Sequence, residues 1–219
     1  MFIAIVPAYN EEKRIGSVVR SLFHHVDTVV VVDDASKDNT AAEARRAGAH
    51  VLVHRINRGQ GAALETGHMY AREHGATYVL HFDGDGQFQV EDIAPALAHL
   101  QKTQADMLLG SRYLDGRSKL PWLKRHIIHP LGKLMNKIFA NVTLSDAHNG
   151  FRILNKRALM YIVIGQDRMA HATEIPYLAQ KHGLTIVEFP VKVVYHEYGQ
   201  KMSGGFWIIR DLLIGRFIR

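Results

Sequence analysis

Three oxygen-bearing side chains, Asp83, Asp85 and Gln87, alternate with glycine in the run Asp83-Gly84-Asp85-Gly86-Gln87. On an extended backbone that spacing points all three the same way. Two carboxylates and an amide oxygen form a hard-oxygen set suited to Mg2+ or Mn2+, completed by phosphate oxygens of a substrate. The glycines keep other side chains clear and let a ligand approach the backbone. The same composition also makes a tight surface turn, since Asp and Gly are turn formers. What favours chemistry is the company this run keeps. It follows the apolar stretch Tyr78–Phe82, and two further apolar stretches end in acid: Phe2–Pro7 leads to Glu11, and Thr28–Val32 leads to Asp33-Asp34. Carboxylates gathered at one place repel each other, so a cationic or hydrogen-bonding ligand is expected among them. Asp33-Asp34 reads either as a loop or cap carboxylate pair, or as an acceptor for a nucleobase N–H or a ribose hydroxyl. Arg58-Gly59-Gln60-Gly61 can close a phosphate against a helix N-terminus. It lacks the Gly-Lys-Ser/Thr ending of a P-loop.

The elements that must position these groups alternate. Apolar runs Phe2–Pro7, Thr28–Val32, His50–His54, Tyr78–Phe82 and Met107–Gly110 read as buried strands. Between them, helical spacing is seen in Ile15, Val18, Val19, Leu22 and Phe23, near 40–47, over 59–75 and over 91–102. Strands apolar throughout, separated by helices, predict an α/β fold with a mostly parallel central sheet covered on both faces. Ligands of such sheets bind beyond the carboxyl ends of the strands, where the acidic motifs fall. In the second half, Phe151–Leu154 and Thr185–Tyr195 read as strands around a helix near 171–182.

Composition narrows the class. The chain has 219 residues, enough for one sizeable core. It has no cysteine, so disulfides and thiolate metal sites are excluded. Its net charge of +6 suits anionic partners such as nucleotides or phospholipid surfaces. No nucleic-acid motif accompanies the charge, so no nucleic-acid partner is expected. The run Met1–Pro7 carries no basic leader, and no apolar stretch reaches the roughly 18 residues of a membrane span. Two segments are basic and amphipathic: 119–141, interrupted by Pro121 and Pro130, and the tail 206–218. Either one suits a membrane surface, a core-covering helix or an oligomer contact. The expected organisation is a catalytic domain over 1–205 and an amphipathic tail over 206–219.

Six motifs then occur in one order: Val6-Pro7-Ala8-Tyr9-Asn10-Glu11, Val32-Asp33-Asp34-Ala35-Ser36-Lys37-Asp38-Asn39-Thr40, Asn57-Arg58-Gly59-Gln60-Gly61, Asp83-Gly84-Asp85-Gly86-Gln87, Gly110-Ser111-Arg112-Tyr113 and Asn149-Gly150-Phe151-Arg152. Over residues 2–201 the chain resembles family 2 glycosyltransferases of the GT-A fold. Within them it is most similar to the polyprenyl-phosphate sugar synthases, such as the dolichyl-phosphate mannosyltransferases. The resemblance implies a Rossmann-like sheet, a nucleotide-sugar donor, a polyprenyl-phosphate acceptor, and inversion at the sugar carbon. It further implies that Pro7, Ala8, Tyr9, Asn10, Glu11 and Asp34 surround the nucleoside. Asp83 and Gly84 are implied at the donor diphosphate. The metal falls to Asp85 and Gln87 with Asp83, and the acceptor phosphate to Arg112 and Arg152. Arg58, Gly61 and Lys201 are expected near the phosphates. Ala35 stands where the family usually has glycine, Gln60 where a lysine is common, and Asn149 where a serine is usual.

The acceptor decides whether a base is needed. A hydroxyl must lose a proton. A monophosphate, with a second pKa around 6, arrives already charged and needs cations to position it. Arginine suits that role through its bidentate fork. The competing reading is transfer to a saccharide hydroxyl, with Glu174 as base. A lipid-phosphate acceptor implies peripheral attachment to the cytoplasmic face of a membrane, with a homo-oligomer or a membrane-anchored partner as further possibilities. A nucleotidyltransferase would instead carry a glycine-rich basic loop after the first strand, where this chain has Ala8-Tyr9-Asn10-Glu11. A non-catalytic adaptor would not need the full set of metal-binding groups.

Overall fold

The computed structural model describes residues 1–117, 144–146 and 148–194. The amphipathic segment 119–141, the tail 206–218, Lys201 and the 205/206 boundary lie outside the described residues.

Strands β1 (Phe2–Ala8), β2 (Thr28–Asp33), β3 (His50–Val53), β4 (Tyr78–His81), β5 (Met107–Ser111), β6 (Arg152–Asn155) and β7 (Ile186–Pro190) form one sheet in the order β3-β2-β1-β4-β6-β5-β7. Helices α1 (Ile15–Leu22), α2 (Thr40–Arg46), α3 (Gln60–Glu73), α4 (Ile93–Thr103), α5 (Lys156–Tyr161) and α6 (His171–Lys181) connect and cover it. Alternation along β1 splits the core in two. Phe2, Ala4, Val6 and Ala8 pack with Ile15, Val19 and Leu22 of α1 on one face. Ile3 and Ile5 pack with Ala63 and Leu64 of α3 on the other. Every apolar β1 position is thereby covered, which is why the strand reads as a continuous apolar run.

Two departures from the sequence reading have clear causes. Pro7 sits inside β1 instead of ending it. Ile5 O accepts from Phe82 N on the β4 side, and Ala8 O accepts from Asp34 N on the β2 side. By alternation the Pro7 nitrogen faces β4, beyond that strand's end at His81, so no ladder bond is lost. The second departure is α5, which has no strong apolar period. It starts because the Asn155 side chain caps it, accepting from Ala158 N at 2.8 Å.

β6 runs antiparallel to both neighbours, β4 and β5, while every other pair is parallel. Its first residue therefore lies at the edge where β1, β4 and β5 have their last. That reversal places Arg152 beside His81, in register, at the carboxyl edge of the sheet.

Ala35 takes φ +61° after β2, a left-handed conformation that favours glycine. Ala35→Gly should raise stability by about 0.5–1 kcal/mol, net of the added freedom of the unfolded chain. Chemical denaturation checks this as a higher midpoint at unchanged slope.

Candidate active site

The Asp83–Gln87 run is not extended. Residues 84–86 form a turn, with Gly86 at φ +72°. The motif is a tight turn, and that turn still brings Asp83, Asp85 and Gln87 to one cavity together with Gln60, Arg112, His148, Asn149, Gly150, Arg152 and His171. The Asp85 carboxylate accepts from Gln87 N at 3.0 Å, fixing the turn.

Asp83 is the electrostatic centre. Burial and the neighbouring Asp85 push its pKa up to about 7, against the pull of Arg152, a hydrogen bond from Gln60 (2.8 Å) and Arg112. Burial also raises Glu11, with Arg14 opposing and Asp85 adding to the rise. Three carboxylates thus share one field. The donor set fits a hard divalent cation: the Asp83 and Asp85 carboxylates and the Gln87 amide oxygen line one cavity, a hard-oxygen set that diphosphate oxygens would complete. Among the described residues no group of three or more histidines and carboxylates forms a closed metal cage.

The sign of the pH dependence follows. Asp83 has a folded pKa above the ordinary 3.8. The metal-free protein is then most stable below about pH 4 with respect to this group, and it loses that contribution as pH rises through 7. Asp83→Asn should remove the loss, on the order of a few kcal/mol. Thermal melts of metal-free protein at pH 4.5 and 7.5 check this: the variant should gain on the parent as pH rises.

The two arginines are in different states. Arg112 is held by a buried partner: its Nε and Nη2 donate to Asp146 at 2.6 and 2.7 Å. Glu188 supports that partner from β7, accepting from Ser145 N, Ser145 Oγ and Asp146 N. Arg152 is only 1% exposed, yet its Nε and Nη1 have no hydrogen-bond partner among the described residues. Burial lowers its pKa to about 10, opposed by Asp83 and Asp146, so it stays charged at neutral pH. It is a desolvated cation with donors to spare, beside a carboxylate pair.

Gly150 explains the close approach. A Cβ on it would lie 2.3 Å from Asp83 Oδ2 and 2.8 Å from Asp83 Cγ. The Asn149-Gly150-Phe151-Arg152 motif therefore touches the acidic motif directly.

The β1 and β2 ends form the adjoining surface. Asn10 N donates to Ser36 Oγ, Lys37 N to Asn10 Oδ1, and Glu11 N to Thr40 Oγ1, pinning loop 9–12 to loop 36–40. Tyr9 is 43% exposed there. Gly84 joins this surface to the cavity, with Pro7 O 3.4 Å from the position of an added Cβ. Asp34 is buried and organises the neighbouring loop. It accepts from His54 Nδ1 (2.7 Å), Arg58 N (2.9 Å) and Gly59 N (2.6 Å).

Three residues expected near substrate have other tasks. Arg58 pairs with Asp167 at 2.9 Å, half exposed. Gly61 packs against backbone: a Cβ there would lie 1.9 Å from Gln166 O, and Ala62 N donates to Asp167 O. Loop 166–168 thus occupies the α3 N-terminus that a phosphate was expected to cap. Glu174 accepts from Gly165 N and Gln166 N, which anchors that same loop, and it does not line the cavity. In the other direction, His148 and His171 enter the cavity. His148 precedes the Asn149-Gly150-Phe151-Arg152 motif, where the sequence reads it as a loop hydrogen-bonder rather than a metal ligand; His171, one of 14 histidines in the chain, carried no signal of its own.

Residues 3–163 match the Glycosyl transferase family 2 profile. The chain belongs to glycosyl transferase family 2. It is a glycosyltransferase with a GT-A-like fold. It is 31% identical to the UDP-N-acetylglucosamine--dolichyl-phosphate N-acetylglucosaminyltransferase of Methanococcus voltae, over 96% of this chain and 94% of that one. It is 32% identical to the undecaprenyl-phosphate mannosyltransferase of Micrococcus luteus, over 93% and 88%. Among solved structures it superposes on glucosyl-3-phosphoglycerate synthase from Mycobacterium tuberculosis in complex with Mg2+ and UDP. The TM-score is 0.76 at 18% identity, covering 100% of this chain and 80% of that one, a likeness of fold.

Proposed function

We propose that this family 2 glycosyltransferase moves a hexose from a GDP- or UDP-sugar to a polyprenyl phosphate, with inversion and with a divalent metal. The observation that carries the acceptor is Arg152: a buried guanidinium with two unused N–H groups, facing Asp83. Such a group is costly unless an anion uses it, and a phosphate offers matching oxygens. The relatives named for dolichyl- and undecaprenyl-phosphate transfer support the same acceptor class.

In this reading Asp83, Asp85 and Gln87 hold Mg2+ or Mn2+, which when bound offsets charge on the departing diphosphate. The β1 and β2 ends, from Pro7 to Glu11, take the nucleoside. Arg152 aligns the acceptor oxygen, and Arg112, clamped by Asp146, adds positive field from a fixed position. No side chain has to take a proton, because the nucleophile is already an oxyanion. Glu174, committed to the 165–166 backbone, fits this better than it fits a base for a hydroxyl acceptor. A polyprenyl acceptor places the reaction at a bilayer surface, and we assign the chain a peripheral position on the cytoplasmic face. No helix among the described residues is long and apolar enough to cross a membrane.

A panel of GDP- and UDP-sugars, offered with polyprenyl phosphate, with a saccharide acceptor, or alone, tests the proposal. Product should form only with polyprenyl phosphate, should need Mg2+ or Mn2+, and should vanish in Asp85→Ala. Glu174→Gln should keep activity within about tenfold, the range of a positioning effect. Transfer to the saccharide that Glu174→Gln abolishes would establish the hydroxyl-acceptor reading instead.

A further inference from the structure

His171 lines the cavity, yet nothing in the transfer described above uses it. It is the first residue of α6 and is buried. Its Nδ1 lies 2.6 Å from Arg168 O. A backbone carbonyl only accepts, so Nδ1 carries the hydrogen. Burial and the Arg152 charge lower the pKa of the ring to about 3, against the pull of the Arg168 carbonyl, and His148 adds to the fall. The ring is therefore neutral, and Nε2 is a bare lone pair. With Nδ1 turned back to the main chain, the far edge of the ring, which carries Nε2, is the part left to face the cavity. The Arg152 charge is felt there, which puts this edge at the Arg152 end.

No hydrogen bond among the described residues reaches His171 Nε2. The amide donors that line the same cavity are committed elsewhere: Gln60 Nε2 to Asp83 Oδ1 at 2.8 Å, and Asn149 Nδ2 to Asp146 Oδ2 at 3.2 Å. The acceptor atom is thus left for substrate. A diphosphate and a dianionic phosphate bring only acceptors of their own, which a lone pair repels. In the reading above the nucleoside sits at the β1 and β2 ends. The hexose is the part that brings O–H donors, and it must lie between the diphosphate at Asp83–Gln87 and the acceptor at Arg152.

We propose that His171 Nε2 accepts a hydrogen bond from one hydroxyl of the hexose being transferred, and so selects the donor at that carbon. This rests on the nucleotide-sugar reading above and is independent of which acceptor is used. A sugar that lacks the hydroxyl, or turns it away, leaves a buried acceptor unpaired and is rejected for that reason. The bond to Arg168 O fixes the tautomer, so the ring answers a hydroxyl and not an oxyanion.

The donor selected by the panel above, with its singly deoxygenated forms, tests this as a double-mutant cycle. In the parent, one deoxy form should lose about tenfold or more in kcat/KM. His171→Asn, whose amide can keep the bond to Arg168 O but has no distal acceptor, should lose a similar factor with the intact donor. It should lose no more than about twofold further with that deoxy form. His171→Gln, whose amide oxygen stands in for Nε2, should keep most of the activity. Inhibition by the free nucleoside diphosphate, which has no hexose, should stay within about twofold in both variants. Losses that multiply for every deoxy form, an Asn variant as active as the parent, or a Gln variant as impaired as the Asn one overturn the proposal. Weakened inhibition by the nucleoside diphosphate marks a merely structural role and overturns it too. If the panel turns over no GDP- or UDP-hexose, the donor reading falls and this inference falls with it.

Discussion

Gly150→Ala should lower transfer by about 100-fold or more while leaving the fold intact. The added methyl group would lie 2.3 Å from Asp83 Oδ2, well inside contact distance. Asp83 cannot retreat freely, because Gln60 Nε2 already donates to its Oδ1 at 2.8 Å. The carboxylate must therefore turn or shift, and a displacement near 1 Å at a reacting centre costs about that factor. Steady-state kinetics at saturating Mn2+ check the loss, and a metal titration locates it. The apparent affinity for Mn2+ should weaken, while the melting temperature moves by only a few degrees. Retained turnover would show that Asp83 is not needed where the structure places it.

Arg152→Met should do two opposite things. Transfer to polyprenyl phosphate should fall by at least about 100-fold, since a buried guanidinium fork with donors unused among the described residues is gone. Stability should rise by about 1–3 kcal/mol, because the native state no longer buries a guanidinium with unsatisfied N–H groups. Two facts support the sign: burial lowers the Arg152 pKa to about 10, and its Nε and Nη1 lack partners. Arg112 gives the contrast. Its charge is matched by Asp146 in a two-bond clamp, so Arg112→Met strands a buried carboxylate and should destabilise. Melting curves of both variants, beside their kinetics, separate the two roles.

The sheet was legible in the sequence because its central parallel strands are buried on both faces and so read as apolar runs. Phe2–Ala8 and Thr28–Asp33 are examples. The carboxylate site was legible for a related reason: acids that directly follow such runs must gather at one edge. Three things were not legible. The direction of β6 depends on which edge it joins, and four residues carry no mark of orientation. The partners of Arg112 and Glu174 depend on contacts with residues 34 and 8–9 positions away, Asp146 and the 165–166 backbone. The glycines of Arg58-Gly59-Gln60-Gly61 suggested a ligand, whereas the close approach at Gly61 is by the chain's own 166–168 loop. A glycine reports that something comes near without saying what.

The reversed strand has a consequence for how the enzyme comes into being. β1 to β4 form a local unit, each strand joined to the next by a helix. β4, however, must wait for a partner some 70 positions later, because Leu80 pairs with Ile153. Until β6 inserts, a chain leaving the ribosome presents an unpaired β4 edge, and such an edge invites the wrong neighbour. The same insertion brings Arg152 and Gly150 to Asp83. Closing the sheet and completing the active site are therefore a single late event, and a molecule that misfolds at this step is inactive as well as sticky.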